Sequence, residues 1–100
     1  MLAYKLFKER KDGSIGPLFI NRKQRIPIGQ WLEAEDVPTK GFAHRPGWHV
    51  GVYPEAPHLS EKGRVWYLVE IEDWYPFKRP KNQGGEWLIA KRMKVIERVD

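Results

Sequence analysis

Between Arg64 and Glu72 the sequence alternates without interruption, and this stretch most constrains what the chain can become. Val65, Tyr67, Val69 and Ile71 fall on one face of an extended segment; Arg64, Trp66, Leu68, Glu70 and Glu72 fall on the other. A period of two is the signature of a strand, and a strand with an apolar face needs partners to cover its backbone and that face. The rest of the sequence offers them. Leu2–Lys8 reads as a strand buried partly on both sides, with Leu2, Tyr4 and Leu6 on one face and Phe7 on the other. Lys11-Asp12-Gly13 supplies turn chemistry, and Ile15–Ile20 reads as the returning strand, with Pro17 marking a bulge or an edge. After a polar loop over Pro76–Gly85, Glu86–Val99 reads as the last strand. In it Trp87, Ile89, Met93, Val95 and Val99 favour one face, with a kink at Lys91-Arg92.

Two segments depart from this pattern. Ile28, Trp31 and Leu32 fall at helical spacing behind Pro27, which predicts a short helix near Gly29–Glu35 that ends at Val37-Pro38. From Thr39 to Gly63 the chain is rich in glycine and proline, and only His49–Tyr53 has the look of a strand. A stretch so irregular in so small a protein is usually functional or mobile. The predicted fold is α+β and mostly β: a strongly bent antiparallel sheet, small and split-barrel-like, with one short helix and a long irregular excursion across its mouth. Residues 1–100 make a single domain by length.

The 100 residues include no cysteine, which removes disulfides and cysteine-based zinc sites and suits a reducing compartment. The first residues lack the basic lead and long apolar run of a signal peptide, and no segment approaches the ~20 apolar residues needed to span a bilayer. The expectation is a cytoplasmic protein without a membrane partner. The formal charge of +5 is unevenly spread: seven Lys/Arg in residues 1–30 face only Glu9 and Asp12. Such a basic third suits nucleic acid, a nucleotide or an acidic protein, but Arg10-Lys11 and Arg22–Arg25 also sit where solvated turns belong.

Candidate chemistry gathers in Gly41–Ser60. All three histidines, His44, His49 and His58, lie there. A three-histidine zinc site with Glu33, Glu35 or Glu55 is chemically conceivable, but the spacing matches no ligand pattern, and no metal is predicted. Within Gly41–Gly51, Arg45 can clamp an anion and Trp48 can stack on a ring, while the glycines let backbone approach a ligand. Arg45, Trp48, His49, His44 and His58 are therefore the candidate ligand-binding residues for a nucleotide or other anion. A self-packed loop needs the same residue types. Of the five tryptophans, Trp66, Trp74 and Trp87 are flanked by charge; shared on one exposed face, they would form a stacking platform for single-stranded nucleic acid.

The segments Tyr4–Phe7, Ile26–Ala34, Arg45–His49 (Arg-Pro-Gly-Trp-His), Ala56-Pro57-His58 and Val65-Trp66 resemble a group of small phage and prophage proteins across nearly the whole chain. That resemblance implies a viral accessory role, with a host or phage protein as partner. The order of elements is also similar to the ADP-ribosyltransferase-like fold. This second resemblance implies NAD as cofactor and a catalytic set of Tyr4 (or Lys5), His49 on the second motif strand, and Glu86 opening a late strand. A carboxylate beside the ribose can stabilise an oxocarbenium-like centre. The chain is shorter than most such enzymes, and its segment after the second motif strand shrinks to Pro54–Ser60. The leading expectation is a non-catalytic binding module needing no cofactor. The alternatives are an NAD-dependent transferase and a single-strand-binding protein.

Overall fold

A computed structural model describes residues 1–18, 24–34, 47–56, 59–78, 80–83 and 85–99. Six strands form one antiparallel sheet: β1 (Leu2–Glu9), β2 (Ile15–Gly16), β3 (Trp31–Glu33), β4 (Trp48–Gly51), β5 (Arg64–Lys78) and β6 (Glu86–Arg98). The pairing order is β2-β1-β4-β6-β3, and β5 pairs with both β1 and β6. The strands β1, β5, β6 and β4 thus follow one another round a ring. It closes only partly, because β1 meets β4 through the single pair Tyr4↔Gly51. The fold is mostly β and its sheet antiparallel, as expected, and the partly closed ring is not a barrel.

The β5–β6 hairpin carries a local backbone irregularity. Its pairs run from Lys78↔Glu86 through Trp74↔Ala90 and Glu72↔Arg92 to Ile71↔Met93, so the register is unbroken. Asp73, between two of those pairs, takes φ 52°, a left-handed conformation that a non-glycine residue rarely holds. On β6 the buried face changes parity at the same level. Leu88 and Ala90 belong to the main core, and so do Met93 and Val95. The kink read at Lys91-Arg92 is therefore present. Trp87, however, lies on the opposite face from Met93 and Val95, a correction that follows from this change of parity.

Two apolar clusters result. The main one gathers Ala3 and Phe7 from β1, Val65, Tyr67, Val69 and Ile71 from β5, Leu88, Ala90, Met93 and Val95 from β6, and Val50 from β4. The second, on the other face, joins Leu6, Trp66, Trp87 and Ala56, with Tyr4, Leu18, Leu59, Phe77 and Val99 packed against it. β1 is thus buried on both faces, as its sequence predicts. Turn chemistry at Lys11-Asp12-Gly13 also holds: Gly13 takes φ 86°, Gly13 N–H donates to the Arg10 carbonyl at 3.0 Å, and the Asp12 carboxylate accepts from the Ser14 N–H and hydroxyl.

The predicted helix is replaced by a strand. Gly29 takes φ 83° and donates to the Val95 carbonyl, which turns the chain away from a helical path. Trp31, Leu32 and Glu33 then pair with Lys94, Met93 and Arg92. Trp31 lies under two cations, 4.9 Å from the Arg92 guanidinium carbon and 5.1 Å from Lys94 Nζ, while Arg92 also pairs with Glu33 and Glu72. A helix would forfeit these cross-strand contacts. Residues 35–38, where that helix was to end, lie outside the described residues. β5 runs to Lys78 where a loop was expected from Pro76, and a single 3-10 turn at Lys81–Gln83 leads into β6. The predicted returning strand is short, Ile15–Gly16, and its far end at 19–20 also lies outside the described residues. Of the three tryptophans read as exposed, only Trp74 is; Trp66 and Trp87 are buried in the second cluster.

Candidate functional site

β4 is the fixed part of the segment in which the candidate chemistry gathers. Trp48, His49, Val50 and Gly51 pair with Ala90, Ile89, Leu88 and Trp87 of β6. Successive strand residues point to opposite faces, so Trp48 and Val50 turn into the main core while His49 and Gly51 share the other face. Trp48 is half-buried and packs on that core, and its indole Nε1 donates to the Leu32 carbonyl at 3.1 Å. Its ring is a structural part of the β3–β4–β6 junction. It does not stand beside His49 as a paired grip.

His49 lies on the same face as its partner Ile89, with Tyr75 next across the sheet. Tyr4 lies opposite Gly51, two residues along β4 from His49, and therefore on the same face one diagonal step away. Both residues are half-buried. Gly51 sits between Tyr4 and Trp87, and a Cβ there would come within 3.0 Å of the Tyr53 carbonyl oxygen and 3.8 Å of the Trp87 ring. The fit is tight because the chain folds back over this position after β4, so a larger residue would press on the Tyr53 carbonyl. Beyond it, Tyr53 projects into solvent with 65% of its surface exposed.

Glu86 is elsewhere. It opens β6, pairs with Lys78, and is exposed. It stands three positions before Ile89, the partner of His49, so the pleat puts Glu86 on the opposite face. The structure brings Tyr4 and His49 together and leaves Glu86 apart from both. Arg45, His44 and His58 lie outside the described residues. Among the described residues no group of three or more His, Cys, Asp or Glu side chains is arranged to hold a metal.

Sequence reading weighed Lys5 only as a stand-in for Tyr4, and its surroundings prove more unusual. It lies between Ala3 and Phe7 on the core face of β1, opposite Tyr67. Part of the residue reaches the surface, but its ammonium end is enclosed. Nζ donates to the His49 carbonyl at 2.8 Å and stands 5.8 Å from the Phe7 ring centroid. Loss of hydration pushes its pKa down to about 8, because burial penalises the charged form. A lysine at an alternating apolar position was the available signal. The side chain spans the thin β1–β4 seam, adding a bond where the backbone supplies one residue pair. Neither protein-family models, curated proteins nor solved structures yield a match to this chain.

Proposed function

We propose that this chain is a non-catalytic binding module of phage type, which engages a host or phage protein through the segment spanning residues 41–60. The observation that carries this reading is the separation of the transferase set. Tyr4 and His49 share one sheet face while Glu86 leaves from the other, so no single NAD site gathers all three. β4 locks the middle of the segment into the sheet, and the exposed Tyr53 lies two positions beyond its end. A rigid strand presenting a loop is a common way to build a recognition surface. An anionic, nucleotide-like group on the partner would be met by Arg45 and His49, because the Trp48 ring is committed to the core.

The test is a pair of measurements on the purified chain. Tyr53→Ala and Arg45→Ala are expected to abolish capture of the partner while leaving the thermal transition unchanged, whereas millimolar NAD shifts no transition and releases no nicotinamide. Nicotinamide release that Glu86→Gln stops would overturn the reading in favour of the transferase. The single-strand-binding alternative loses its platform, since Trp66 and Trp87 are buried. Salt-sensitive retention of short single strands, lost in Trp74→Ala, would restore it.

A further inference from the structure

The second half of β5 is an edge. β1 pairs with β5 only as far as Leu2↔Glu70, and among the described residues 72–78 pair with β6 alone. Glu72, Asp73, Trp74, Tyr75, Pro76 and Lys78 are all exposed, with Trp74 at 42% and Tyr75 at 49%. An open edge carrying two large aromatic rings is a template for another strand. The order of side chains indicates which strand. It begins with acids, Glu72 and Asp73, continues through Trp74, Tyr75, Pro76 and Phe77, and ends with the base Lys78.

We infer that this edge pairs with the same edge of a second copy of the chain, antiparallel about a two-fold axis at Tyr75. That arrangement sets Tyr75 against its own counterpart and Trp74 against Pro76. It also brings the acids of each copy to Lys78 of the other. A parallel copy would instead align like charges. Glu72 is already oriented by its ion pair with Arg92 at 2.5 Å. The two-fold contact uses the same edge of both copies, so it closes at a dimer and does not propagate. Pro76 has no N–H to give, so the backbone ladder is incomplete. Seven residues a side is also well short of the ~20–30 of a standard interface, so the association is weak.

Sedimentation equilibrium of the full chain, from about 10 µM to about 1 mM, tests the inference. Wild type is expected to show a monomer–dimer equilibrium that weakens with salt. Lys78→Glu and Glu72→Lys each weaken it about tenfold or more alone, because each makes both ends repulsive or unpaired, while an equimolar mixture regains the wild-type affinity. Tyr75→Lys abolishes it with the thermal transition retained. A chain that is monomeric throughout the range overturns the inference. So does a dimer indifferent to Tyr75→Lys, or a mixture no tighter than its parts.

Discussion

Lys5 makes the stability of this protein depend on alkaline pH in a calculable way. Its pKa is about 8 in the folded chain against 10.5 when solvated. Between those values the unfolded chain holds a proton that the folded chain has released, so stability rises with pH across the window. Below pH 8 both states are charged and the full cost of burying the ammonium is present; above 10.5 both are neutral and the cost is gone. At about 1.4 kcal/mol per pH unit the interval corresponds to about 3 kcal/mol, or about 2 once water reaching the accessible part of the residue is allowed for. Other lysines and the tyrosines titrate in the same range, so the quantity to measure is the difference between wild type and Lys5→Met. Methionine keeps most of the stem's packing and removes the titrating group. Its loss of the hydrogen bond to the His49 carbonyl is a constant offset, since a neutral amine also donates. Urea unfolding followed by tryptophan fluorescence, from pH 7 to 10.5, gives both curves. Wild type should gain about 2–3 kcal/mol relative to the variant over that range, with most of the change above pH 8. Parallel curves would refute the argument, because they would mean that the ammonium is hydrated in the fold.

Four further outcomes follow from the packing. Met93, fully buried between β5 and β3, should cost about 2–5 kcal/mol when changed to alanine, read by the urea midpoint. Gly51→Ala pushes a methyl against the Tyr53 carbonyl and should lower the thermal midpoint, whereas Gly63→Ala meets open space and is disfavoured only by its positive φ of 70°. Arg92→Met removes the ion pairs to Glu33 and Glu72 and the contact over Trp31; these are largely exposed, so the loss should stay near 1 kcal/mol and diminish in high salt. Asp12 is held below its ordinary pKa first by the hydrogen bond from Ser14 and then by that from Arg25. Its contribution should therefore be full above the ordinary carboxylate range, decline as pH falls through that range because the unfolded chain takes up the proton first, and vanish only in strong acid, seen as an acid-unfolding limb that flattens in Asp12→Asn.

The parts of the fold visible in the sequence are those where one face is buried and the other wet. Val65, Tyr67, Val69 and Ile71 alternate because the main core lies on one side of β5, and the charges at Lys91-Arg92 interrupt β6 where its buried face changes parity. Beyond Ile71 the same strand becomes an exposed edge, so nothing requires alternation. Asp73 and Pro76 then imitate a loop although pairing continues to Lys78. The error at Ile28–Glu35 has a similar origin. Ile28, Trp31 and Leu32 suit a helical stripe as well as a short strand, and three apolar residues cannot separate the two periods. The backbone at Gly29 and the cations of β6 beneath Trp31 decide the matter, and both are tertiary facts.

The candidate site was legible as a place more than as an arrangement. The density of aromatic, basic and glycine residues marks 41–60, yet density along the chain says nothing of sides. Once Trp48 and His49 enter a strand, adjacency becomes opposition: one ring joins the core at Leu32 and the other turns to the face of Tyr4. Glu86 is separated from His49 by the same rule, since it stands an odd number of positions from Ile89. Parity therefore decides which of these residues share a face, and it is fixed by register. Register in turn is held where β4 meets β6, from Trp48↔Ala90 to Gly51↔Trp87, and β1 joins it through Tyr4↔Gly51 and the Lys5 bond to His49. Lys5, a cation among the core residues of β1, thus ties Tyr4's strand to an alignment that the β4–β6 pairs set. A one-residue slip of β4 against β6 would exchange the faces of β4 and expose Val50.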